Sequence, residues 1–121
     1  MKYSFLASIY RNTKADEMKV CVETMCSQTV KPEQIVIVID GPIGEELTAY
    51  IEELKTNTLF TIVALAENVG LGNALREGML QCRNEMIARM DTDDIMELDR
   101  CEKQLKCFEC DPDLSVVGSN I

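Results

Sequence analysis

The chain contains no histidine and no tryptophan, only three prolines, and barely half as many basic as acidic residues. Without histidine, any metal must be held by cysteine or carboxylate. Cys107-x-x-Cys110 is one pair with no second pair to complete the four closed ligands of a structural zinc site. The scarcity of Lys and Arg, 12 against 21 Asp and Glu for a net charge of -9, excludes nucleic acid as the natural partner. It does not exclude a phosphate-bearing small molecule, because a metal can bridge acid to acid. No run of about 18 apolar residues occurs, so nothing reads as a membrane span. The start, Met1-Lys2-Tyr3-Ser4-Phe5-Leu6, lacks the pattern of a signal peptide. The expectation is a cytoplasmic protein. In that compartment Cys21, Cys26, Cys82, Cys101, Cys107 and Cys110 read as free thiols, most of them on core-facing helix positions. Linkers, repeats and low-complexity segments are also missing. Residues 1–121 read as a single domain long enough for a real core.

What the chain does have is alternation. Residues 3–10, 34–39, 60–65, 86–90 and 114–118 are short apolar runs that read as five buried strands. Between them lie helical spacings. Met18, Cys21, Val22 and Met25 follow an N-cap signal at Asn12-Thr13, with Asp16 in the first turn. Leu47, Tyr50, Ile51 and Leu54 line a second helix. Leu71, Ala74, Leu75, Gly78, Met79 and Cys82 line a third, and Cys101, Leu105 and Phe108 a fourth that stops before Pro112. Strands alternating with helices predict an α/β fold of three layers, a mostly parallel sheet with helices on both faces.

The fourth apolar run ends in three carboxylates, Asp91-Thr92-Asp93-Asp94. Carboxylates this dense repel one another and resist burial. At a strand end they suit a hard divalent ion, Mg²⁺ or Mn²⁺, which binds through a few carboxylates and substrate phosphates. A solvated turn with Asp94 as helix N-cap is the plainer alternative. In open α/β sheets ligands bind outside the carboxyl ends of the strands. Those ends carry Ser8, Ile9, Tyr10 and Arg11; Asp40-Gly41; Glu67, Asn68 and Gly70; and the acidic cluster. An aromatic ring, an acceptor carboxylate, a glycine loop and an acidic group on one rim suit a nucleoside diphosphate with its metal.

In combination these stretches resemble the amino-terminal half of a family 2 glycosyltransferase, with the Rossmann-like GT-A fold. The matching pieces are the first strand with Asn12, the second strand ending in Asp40-Gly41, and Asn68-x-Gly70-Leu71-Gly72-x-Ala74-Leu75-x-x-Gly78. The last is Arg89-Met90-Asp91-Thr92-Asp93-Asp94-Ile95, with Arg100 and Gln104 behind it. The resemblance implies that Ser8 and Tyr10 lie along base and ribose, with the Tyr10 ring stacked on the base. It implies that Asp40 accepts an N–H from a pyrimidine, so that the donor is a UDP-sugar, with Asn68 and Gly70 also at the nucleotide-sugar site. Asp91 contacts ribose or sugar hydroxyls, Asp93 with Asp91 holds Mg²⁺ or Mn²⁺ on the diphosphate, and Asp94 lies nearby or caps the next helix. The acceptor, a saccharide or lipid-linked glycan in polysaccharide or glycoconjugate synthesis, belongs to the full-length enzyme.

Two departures stand out. Many members carry Arg directly after the Ala of the third motif, where this chain has Leu75; Arg76 comes one residue later, about 100° round the helix. The family's general base comes from a later segment, so the chain reads as a truncated donor-binding portion that binds without transferring. A non-catalytic nucleotide-binding module is the alternative. A haloacid-dehalogenase-like phosphatase or a receiver domain would place its acids after the first strand, where this chain has Ile9-Tyr10-Arg11.

Overall fold

The computed structural model describes residues 2–110. Four strands alternate with four helices: β1 (Ser4–Ile9), α1 (Ala15–Cys26), β2 (Gln34–Asp40), α2 (Glu45–Leu54), β3 (Phe60–Leu65), α3 (Leu71–Met79), β4 (Ile87–Arg89) and α4 (Arg100–Cys110). The strands form one parallel sheet in the order β3-β2-β1-β4. The fifth expected strand, at 114–118, lies outside the described residues.

This order follows from chain direction. The chain steps outward from β1 to β2 to β3, then returns past β1 to lay β4 on its other side. Right-handed crossovers put α1 and α2 on one face of the sheet, and the reversed step through α3 puts that helix on the other. The burial pattern agrees. Phe5, Ala7, Ile9, Ile35, Ile37 and Ile39 pack with Met18, Cys21, Met25, Leu47 and Ile51, and α4 adds Cys101 and Leu105 to the same core. The alternate residues Leu6, Val36 and Val38 meet Ala74 of α3. Complete burial of side chains such as Ile37 and Met18 contributes about 1.5–3 kcal/mol each.

Three local expectations change. The N-cap of α1 is Lys14, with no side-chain cap. Thr13 instead closes a turn, its Oγ1 accepting the Tyr10 N–H at 3.0 Å while its own N–H donates to the Tyr10 carbonyl at 3.0 Å. Of the six-residue stripe on α3, only Ala74 and Gly78 are buried; Leu71 and Met79 are more than half exposed. The helix lies too close to the sheet for larger contacts, since a Cβ on Gly78 would sit 2.5 Å from both Leu6 and Val38. Finally, α4 begins at Arg100, so Asp94 does not cap it. All six cysteines are free, as expected, with Cys107 and Cys110 exposed.

Candidate functional site

The reversal of strand order on either side of β1 leaves a crevice at the carboxyl ends of the strands, where open α/β sheets place ligands. A cleft of about 720 Å³ occupies that position. Ser8, Tyr10, Asp40, Asn68, Gly70, Asp91 and Asp93 all line it, so four separate strand ends bring the predicted residues together. Asn12, Thr13, Lys14, Glu17, Leu71 and Thr92 complete the lining.

Tyr10 leaves β1 and enters the turn closed by Thr13, which holds the ring at the rim, 45% exposed. Asp40 is the last residue of β2 and is buried. Its Oδ1 accepts the Val69 N–H at 2.7 Å, and its backbone carbonyl accepts from Asn68 Nδ2 at 3.3 Å. Asp40 thus has a structural task that sequence reasoning did not assign to it. Gly41 makes the tight approach possible. Its φ is +86°, and a Cβ there would lie 2.7 Å from the Asn68 nitrogen. Gly70, at φ +89°, turns the chain into α3.

The acidic loop is held by its backbone, leaving carboxylates outward. Met90 N–H donates to the Leu6 carbonyl at 3.0 Å, and Asp94 N–H to the Asp91 carbonyl at 3.1 Å. The Cys21 thiol donates to that same Asp91 carbonyl at 3.7 Å. Burial, reinforced by the charges of Asp94, Asp91 and Asp93, pushes the Cys21 thiol up to about 12, so it stays protonated and inert at neutral pH. The Asp91 and Asp93 side chains are exposed to the cleft, and Asp91 Oδ1 lies 3.5 Å from Arg89 Nη2. Asp94 is not among the lining residues.

Behind the loop, Gln28 is fully buried and was missed at the sequence level. Its Nε2 donates to the carbonyls of Glu97 at 2.9 Å and Thr24 at 3.1 Å, and its Oε1 accepts the Cys101 N–H at 3.1 Å. It ties α1 to the segment that carries the carboxylates into α4. The signal was present: residue 28 continues the 18-21-22-25 stripe, so a polar amide was due to point inward. The lining residues Lys14 and Glu17 were also missed, because strand-end reasoning stopped before the helix that follows.

Among the described residues no three Cys, Asp or Glu converge as a metal cage. The oxygen donors that the acidic loop turns to the cleft are those of Asp91 and Asp93. Two oxygen donors fit a hard divalent ion that keeps water and gains phosphate ligands.

Comparison with known proteins agrees with this architecture. The glycosyl transferase family 2 model matches residues 5–121. The amylovoran biosynthesis glycosyltransferase AmsE of Erwinia amylovora is 37% identical over 119 residues, covering 98% of this chain and 45% of that protein. The chain therefore spans less than half the length of that relative. Among solved structures, a mannosyltransferase from Pyrobaculum calidifontis in complex with GDP-Man and Mn²⁺ superposes with a TM-score of 0.76 at 17% identity, covering 88% of this chain and 32% of that one. S. aureus TarS 1–349 in complex with UDP-GlcNAc gives 0.74 at 17% identity, covering 90% and 31%. These two show the fold. With the family model spanning nearly the whole chain and the cleft assembled from its motifs, the protein belongs to glycosyl transferase family 2.

Proposed function

We propose that the chain is the donor-binding domain of an inverting glycosyltransferase that takes a UDP-sugar at the cytoplasmic side of a membrane. The observation that carries this reading is the convergence of Tyr10, Asp40, Asp91 and Asp93 on one cleft from three strand ends. The half-exposed Tyr10 ring offers a stacking face for the base. Asp40 is anchored through Oδ1 to Val69, which orients its second oxygen to accept a uracil N–H. Ser8, Asn68 and Gly70 border the ribose and diphosphate path. Asp91 accepts from ribose or sugar hydroxyls and, with Asp93, holds Mg²⁺ or Mn²⁺. A divalent ion bound there supplies charge neutralisation to the departing diphosphate. The acidic lining would otherwise repel that group.

Transfer also needs a carboxylate that removes the proton from the acceptor hydroxyl. In this reading Asp40, Asp91 and Asp93 of the cleft serve the donor, and the AmsE relative is covered only to 45% of its length. Both support a base supplied from outside residues 1–121, with the saccharide or lipid-linked acceptor bound there too.

Isothermal calorimetry tests the donor site. UDP should bind in the presence of Mn²⁺ and bind far more weakly without it, because ion and nucleotide raise each other's affinity by one factor. Asp93→Ala should remove that difference. GDP should bind more weakly than UDP; equal binding of the two would remove base reading from Asp40. Equal UDP affinity with and without Mn²⁺ would remove the metal role from Asp91 and Asp93.

A further inference from the structure

Lys14 is the one basic side chain among the residues that line the cleft, set against Glu17, Asp40, Asp91 and Asp93. Its position is costly for the fold. It occupies the N-cap of α1, where Ser, Thr, Asp or Asn would satisfy a free backbone N–H, and it caps nothing. It also sets a cation at the positive end of a twelve-residue helix, the wrong sign for the helix dipole. No carboxylate of the described residues lies within ion-pair distance of it. A residue that breaks local rules without a structural return is expected at a functional position. The neighbouring turn keeps it at the rim, since Tyr10 and Thr13 bond to each other twice just before it, and its own carbonyl accepts the Met18 N–H that starts α1.

Of the other basic groups near the cleft, Arg89 stands behind the metal-side carboxylates, paired with Asp91 and not in the lining. Arg76 of α3 and Arg11 after β1 are not among the lining residues, and Leu75 packs against the sheet instead. We infer that the Lys14 ammonium binds the diphosphate of the donor from the α1 side, opposite the carboxylate pair that holds the metal. This rests on the donor-site reading and adds to it the protein's own countercharge for the leaving group. A flexible point charge suits an anion whose charge increases as the sugar departs.

The test compares wild type, Lys14→Met and Lys14→Arg by calorimetry with UDP and Mn²⁺, and with uridine by ligand-observed NMR, which detects weak binding. Lys14→Met should weaken UDP about tenfold, leave uridine unchanged and leave or raise the thermal midpoint, because an unfavourable charge leaves the helix start. Lys14→Arg should restore most of the UDP affinity. Equal UDP affinity in wild type and Lys14→Met would overturn this inference alone. An equal loss for UDP and uridine would overturn it as well, by showing a role in shaping the cleft. No metal-dependent UDP binding in the wild type would overturn the donor-site reading and this inference with it.

Discussion

The two ends of β2 show how one strand separates stability from binding. Gln34 begins the strand and Asp40 ends it, and both are buried polar residues. At the amino end Gln34 is saturated. Its Oε1 accepts from Ser4 Oγ at 3.0 Å and from the Arg83 N–H at 2.8 Å, while its Nε2 donates to Thr61 Oγ1 at 2.8 Å and the Gln81 carbonyl at 3.0 Å. That uses the full capacity of a side-chain amide. Asn84 Nδ2 extends the network by donating to Ser4 Oγ at 3.1 Å. At the carboxyl end Asp40 makes one side-chain bond, to Val69, and opens onto the cleft. A buried polar group with every bond made holds the fold; one with capacity left over, at the rim, is available to a ligand.

The strongest challenge to this contrast is Gln34→Leu. It keeps the volume but leaves the buried Ser4 hydroxyl and the part-buried groups of Thr61, Gln81 and Arg83 without their partner, at a cost of about 3 kcal/mol. Chemical denaturation should show that loss, while UDP affinity measured well below the unfolding transition stays near wild type. A large loss of affinity with little loss of stability would reverse the assignment of the two ends.

Asp40 should show an intermediate effect on stability. Asp40→Ala removes a charge-assisted bond to Val69, but the Val69 region is partly exposed and water can replace it, so about 1 kcal/mol is expected. Asp40→Asn sharpens the comparison. The amide oxygen can keep the Val69 bond and the stability, while an NH₂ replaces the free carboxylate oxygen and opposes a uracil N–H. Loss of UDP preference over GDP with an unchanged melting temperature is the expected result for Asn.

The smallest effect on stability belongs to Asp93→Ala. An exposed carboxylate beside Asp91 and Asp94 packs against little, and its removal relieves repulsion. Stability read from thermal unfolding should stay within about 0.5 kcal/mol of wild type or rise slightly, as for surface substitutions generally. A clear drop would mean that Asp93 is part of the loop's scaffold, blurring the line between the two ends.

Much of the fold was legible because apolar runs of strand length alternating with helical stripes have few other solutions. The interval 60–65 is reproduced by β3, and 34–39 lengthens by only Asp40 in β2. The membership of the cleft was legible for a related reason: in a parallel sheet every strand ends on the same side, so residues that follow strands must share a rim. Lys14 and Glu17 escaped because the start of a helix shares that rim too. The α3 stripe was misread because periodicity reports which side chains share a face and not how close that face comes to its neighbour. At Gly78 the approach to Leu6 and Val38 admits no side chain, while Leu71 and Met79, at the two ends of α3, stand more than half exposed.

The sequence by itself determined the alternation of elements and the identity of the rim residues that follow strands, because these depend on local spacing and on the chemistry of neighbouring side chains. Only the tertiary structure decided the order β3-β2-β1-β4, the bond that anchors Asp40 to Val69, and the buried amide of Gln28 that joins α1 to the acidic segment. Each of these joins residues far apart in the chain, and hydrogen-bond partners at such separations are set by how the layers pack, which no local pattern records.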